Sequence, residues 1–145
     1  MAKKMAVLLG TLLFALTACS DRADEEIDML FEALKGDQAT DSFIELLERV
    51  DEQSPYEEAL QRTKEEVEKT KNKLLSLDLS TDVANDLRDQ YLSSLDDFEM
   101  MIAIIESNGP SLSDEDWEEL EQISARANEK QMELIREKFE RIERE

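Results

Sequence analysis

"LSTDVANDLRDQYLSSLDDFEMMIAIIESNGP", residues 79–110, is the stretch whose reading decides the fold. Val83, Leu87, Tyr91, Leu95, Phe98, Ile102 and Ile105 recur at steps of three and four, which puts them on one face of an α-helix. Ser80, Thr81 and Asp82 stand where a helix begins. Asn108-Gly109-Pro110 stands where one ends, with Gly109 expected in the left-handed cap and Pro110 blocking continuation. Inside the stretch, "FEMMIAII" (Phe98–Ile105) is apolar nearly all round. That pattern fits a central helix buried on several sides. Its alternative is a partner groove in which Met100 and Met101 adapt to varied ligands.

Working outward, Gly36 and Pro55 also fall between periodic segments, and no segment alternates like a strand. The expected fold is all-α: an antiparallel helical bundle of three long helices with two shorter N-terminal helices. The first short helix is expected near Arg22–Lys35, with Ala23, Ile27, Leu30, Phe31 and Leu34 on one face and Gly36 as its stop. The second is expected near Asp41–Glu52, with Phe43, Ile44, Leu46, Leu47 and Val50 facing inward. Ser54-Pro55-Tyr56-Glu57 reads as a capping box with proline at the first helical position. The first long helix follows it, along a seam of Tyr56, Leu60, Val67, Leu74 and Leu77 that Thr63 and Thr70 weaken.

The last helix opens with Ser113 as cap, Asp116 three residues on, and Leu112 placed to staple onto Trp117. From there a helix reaching the C-terminus would be roughly 50 Å long. It carries two apolar stripes. Trp117, Leu120, Ile123, Ala127 and Leu134 form one, and Met132, Ile135, Phe139 and Ile142 form another, rotated by roughly 90°. The end of this helix therefore packs on different neighbours, the two short helices, or presents a surface to something outside. Met132, Ile135, Phe139, Ile142, Met100 and Met101 are the candidate partner-binding residues.

The N-terminus has another character. MAKKMAVLLGTLLFALTA, residues 1–18, places Lys3 and Lys4 before an apolar run from Met5 to Ala18, as a secretory signal does. Fourteen residues of helix cover roughly 21 Å, short of a ~30 Å hydrocarbon core. Leu16-Thr17-Ala18-Cys19 resembles the lipobox of bacterial lipoproteins. The resemblance covers these four residues and their charged and apolar lead-in. It implies a diacylglycerol thioether on the Cys19 sulfur, cleavage before Cys19 and acylation of the new amino terminus. Two or three chains, each buried methylene contributing about 0.8 kcal/mol, make a stable anchor.

The implied organisation is a signal peptide at 1–18, a lipidated cysteine and short tether at 19–25, and an acidic helical domain at 26–145. The expected location is extracytoplasmic and membrane-anchored. With Ser20 after the cysteine, this is the periplasmic side of the outer membrane in a two-membrane bacterium. In a single-membrane one it is the outer face of the plasma membrane.

Charge and missing residue types narrow the function. Removing eighteen residues that hold two lysines and no acid takes the chain from 145 residues and −20 to 127 residues and −22. All of that charge lies between Ser20 and Gln122, with nine basic and thirty-one acidic residues; from Ile123 onward there are six of each. Such a field opposes nucleic acid, whose phosphates need Lys and Arg. It also opposes anionic headgroups, so the domain is expected to ride just off the membrane surface.

With no histidine, Ser-His-Asp and Cys-His catalysis, imidazole-dependent zinc sites and Glu-x-x-His di-iron sites are excluded. No glycine-rich phosphate loop is present. "DLSTDVANDLRD", Asp78–Asp89, lacks the turn glycine of a calcium loop and reads better as a helix start. "SDEDWEE", Ser113–Glu119, reads as a first turn favoured by the helix dipole. The expectation is a non-enzymatic, lipid-anchored helical interaction or scaffold module. It would have a protein partner and no cofactor, metal or small-molecule substrate. The alternatives are an electrostatic binder or inhibitor of a cationic protein or peptide, and a carboxylate-based hydrolase.

Overall fold

The computed structural model describes residues 21–144, so residues 1–20, with the expected signal peptide and Cys19, and Glu145 lie outside it. The described residues form five helices and no strand. α1 covers residues 21–34. α2 is Ala39–Asp51, α3 Glu57–Leu75, α4 Asp82–Asn108 and α5 Asp114–Arg144. α4 packs on both α3 and α5, and α2 packs on α3.

The periodicity of residues 79–110 explains why α4 is central. Leu87, Leu95, Phe98, Met101, Ile102 and Ile105 are all buried along it. Burying each such side chain contributes about 1.5–3 kcal/mol. Met101 lies three residues after Phe98 and four before Ile105, on the core face, and has no exposed surface. This corrects its candidacy as a partner-binding residue. Around α4 the core is completed by Ile27 and Leu30 of α1, Phe43, Leu46 and Val50 of α2, Val67 and Leu74 of α3, and Leu120, Ile123, Ala127 and Leu134 of α5.

Helix ends follow the sequence in part. Gly36 has φ +73, the left-handed stop expected after α1. At α5, Ser113 and Asp116 form the expected reciprocal cap. Asp116 accepts from the Ser113 amide and hydroxyl, each at 2.8 Å, and its own amide donates to Ser113 Oγ at 3.1 Å.

Two ends differ from expectation. The Ser54 amide donates back to Arg49 O at 2.9 Å, so Ser54 closes α2 instead of capping α3. The cap position of α3 is Tyr56, whose amide donates to the Glu57 carboxylate at 3.1 Å. Gly109 is extended, with φ −69 and ψ 153. What requires glycine there is close approach, because a Cβ would sit 2.7 Å from Ile105 O and 2.8 Å from Tyr56 Oη.

Three polar junctions tie the helices. Thr63 and Thr70 are buried and satisfied, where the sequence suggested a weakened seam. Their hydroxyls reach Ala59 O and Glu66 O one turn back, as helical threonines do. They also bridge outward, Thr63 to Ser42 O of α2 at 3.0 Å and Thr70 to Asp37 Oδ1 at 2.5 Å.

Glu26 of α1 is buried against the start of α4, where its carboxylate accepts from the amides and hydroxyls of both Ser80 and Thr81 at 2.5–2.9 Å. Burial alone would raise its pKa. The donors from Ser80 and Thr81 outweigh burial and hold it far below the usual carboxylate range. Asp97 of α4 is buried and takes Arg126 at 2.9 Å and Lys130 at 2.6 Å, both from α5. Burial again pushes its pKa up, and the hydrogen bonds from Arg126 and Lys130 bring it below the ordinary value.

Candidate functional site

α2 carries more apolar residues than one helix face buries. Phe43, Leu46 and Val50 enter the core, whereas Ile44, expected inward, is 49% exposed. Ile44 follows Phe43 by one residue, a rotation of about 100°, so both cannot face α3 and α4. Between α2 and α5 there remains a cavity of about 630 Å³. Its lining includes the Phe43 and Phe98 rings, stacked with centroids 5.1 Å apart. Ile44 and Leu47 line it from α2, and half-buried Trp117 and exposed Ala125 from α5.

The rim is acidic. Glu121 lines the cavity, and Glu118 lies three residues before it on the same stripe of α5. On α2, exposed Asp41 and Glu48 flank Ile44 at spacings of three and four. An apolar trough with acidic edges can receive an apolar strip of another chain and favours positive charge beside that strip. Glu121 is the only carboxylate among the lining residues, whereas glycoside hydrolysis uses two. No group of three or more metal-ligating side chains occurs among the described residues.

The candidate partner-binding residues divide three ways. Met132, Ile135, Phe139 and Ile142 share one outward face of α5, with Phe139 62% and Ile142 54% exposed. Met100 is exposed on α4, its sulfur 4.0 Å from the Arg126 guanidinium. Met101 is in the core. Beside the outward face, α5 packs on α1 through other residues. Arg141 reaches Asp24 at 2.7 Å, and Lys138 pairs with Asp28 and lies over the Phe31 ring. One side of the α5 end therefore packs on α1, and the side carrying Met132, Ile135, Phe139 and Ile142 is exposed.

Sequence reasoning missed the trough itself. Its signal was the pair Phe43-Ile44, too close in sequence to share one buried face. Cys19 lies outside the described residues. No helix among the described residues is long and apolar enough to cross a membrane. Comparison with protein-family models, with curated proteins and with solved structures finds no match.

Proposed function

We propose that this chain is a lipid-anchored, non-enzymatic interaction module of a bacterial envelope, held by Cys19 and built as an antiparallel bundle of three long helices flanked by two short ones. The sense of the bundle is supported by its cross-helix pairs. Lys64 pairs with Glu106 and Lys71 with Asp96, so partners on α4 fall in number as those on α3 rise. Asp97 with Arg126 and Ser93 with Lys130 follow the same rule between α4 and α5.

The observation that carries the functional reading is the apolar trough between α2 and α5, floored by the stacked Phe43 and Phe98 rings and edged by Ile44 and Trp117. Its occupant in this reading is an amphipathic segment of a partner protein, apolar along one strip and basic beside it. The acidic rim supports the basic character, and it joins this reading to that of an electrostatic binder. Salt separates the two contributions. Binding by charge alone collapses as ionic strength rises, whereas binding through the trough retains a salt-resistant part.

The test uses the single tryptophan of the chain, which lines the trough. Titrating the protein with basic amphipathic peptides is expected to shift Trp117 emission to the blue, and Ile44→Glu is expected to abolish the shift without unfolding the protein. Binding that leaves Trp117 emission unchanged, or is indifferent to Ile44→Glu, would remove the trough as the site.

A further inference from the structure

The outward apolar face at the end of α5 has a different neighbourhood. Phe139 and Ile142 flank Arg141, which is bonded to Asp24 near the start of α1. Arg141 and Arg144 also border a shallow pocket with Ala23, Ser80 and Thr81, so the α3–α4 turn lies at this same end. Cys19 precedes the first described residue by two positions, a reach of at most about 7 Å. The end of α5 is therefore the part of the body nearest the attachment point.

Charge is arranged to suit. Residues 132–144 hold Arg136, Lys138, Arg141 and Arg144 against Glu133, Glu137, Glu140 and Glu143, a neutral segment in a chain of −20. Met132, Ile135, Phe139 and Ile142 lie in a line along it.

We propose that this face lies on the membrane that carries the anchor, with Phe139 and Ile142 seated at the boundary between headgroups and acyl chains. The proposal rests on the reading of Cys19 as the lipidated residue. Amphipathic faces of this kind bury their apolar side about 5–10 Å into that boundary. Four side chains make a weak contact alone, but a short tether holds them at an effective concentration in the millimolar range, so a weak contact is filled. The neutrality of the segment suits a zwitterionic surface, where neither its acids nor its bases are repelled. The domain then stands on the membrane instead of riding off it. Trp117 is 22 residues before Phe139 on the same helix, roughly 33 Å farther along its axis, so with the end of α5 seated and the axis tilted away the trough stands off the surface.

The test takes the full-length protein, purified from membranes and reconstituted in phosphatidylcholine–phosphatidylethanolamine vesicles with brominated acyl chains. Phe139→Trp adds a reporter at an exposed position and leaves Trp117 as the internal control. Strong quenching of the added tryptophan, with Trp117 quenched several-fold less, is the expected result. Equal and weak quenching at both positions, in protein whose mass shows a lipidated Cys19, would overturn this proposal and leave the anchor reading standing. An unmodified Cys19 would overturn both. Protection of position 139 from bromine together with cysteine crosslinking between copies through Ile142→Cys would assign the face to a second copy instead.

Discussion

Glu26 is the residue on which most local structure converges, since one buried carboxylate holds the last two amides of the α3–α4 turn, just before α4 begins. Glu26→Ala is expected to cost about 2–4 kcal/mol in chemical denaturation, because charged hydrogen bonds are lost and the amides and hydroxyls of Ser80 and Thr81 are left without their acceptor. The sign of its pH dependence follows from its lowered pKa. The unfolded chain binds a proton at Glu26 more readily than the folded one, so the stabilisation is complete above the unfolded value of about 4.3. It is lost progressively as pH falls below that value toward the folded one, and Asp97 contributes with the same sign. The unfolding midpoint is thus expected to be flat from neutral pH to about 5 and to fall below it. Glu26→Gln is expected to make that acid limb shallower, and an unchanged limb would show that Glu26 is not its source. Asp97→Ala is expected to cost less, about 1–2 kcal/mol, because Arg126 and Lys130 keep enough exposure to be rehydrated.

At the scale of elements, α4 supplies the sharpest contrast between neighbours. Met101→Ala removes a fully buried side chain and is expected to cost about 2–5 kcal/mol, whereas Met100→Ala, at a half-exposed position, is expected to stay within about 0.5 kcal/mol. Equal effects at the two positions would contradict the burial assignment. The same pair shows what the sequence made legible. Steps of three and four marked the core face of α4 and all five helices, and Ser113 with Asp116 marked the start of α5. "FEMMIAII" taken alone carries no phase, but the stripe of Phe98, Ile102 and Ile105 already placed Met101 on the core face and Met100 off it. The start of α3 was misread because Ser54-Pro55-Tyr56-Glu57 matches a capping box in residue type, while the chain uses Ser54 to close α2. Gly109 was assigned the right location for the wrong reason, since its need comes from close approach to Ile105 O and to Tyr56, a residue 53 positions away. Glu26 was invisible for the same cause: nothing in residues 21–34 distinguishes it from the acids around it.

Across the whole molecule, the apolar periodicities, the neutral end and the acidic body describe a domain with two ends. The neutral end of α5 and the start of α1 lie beside the expected attachment point, and the trough between α2 and α5 lies toward the other end of α5, with Ile44, Leu47 and Trp117 lining it. Two stripes on α5 could be read from the sequence, whereas the trough left only the Phe43-Ile44 pair as a signal, because it is made by two helices more than sixty residues apart in the chain. The most direct test of the central claim is photo-crosslinking in intact cells, with the reactive residue placed at Ala125 on the trough wall and, as control, at Gln61 on exposed α3. A discrete protein adduct from position 125, absent from position 61 and lost when Ile44→Glu is added to a stably folded variant, is the predicted result. No adduct from position 125, or one that persists unchanged with Ile44→Glu, would contradict it.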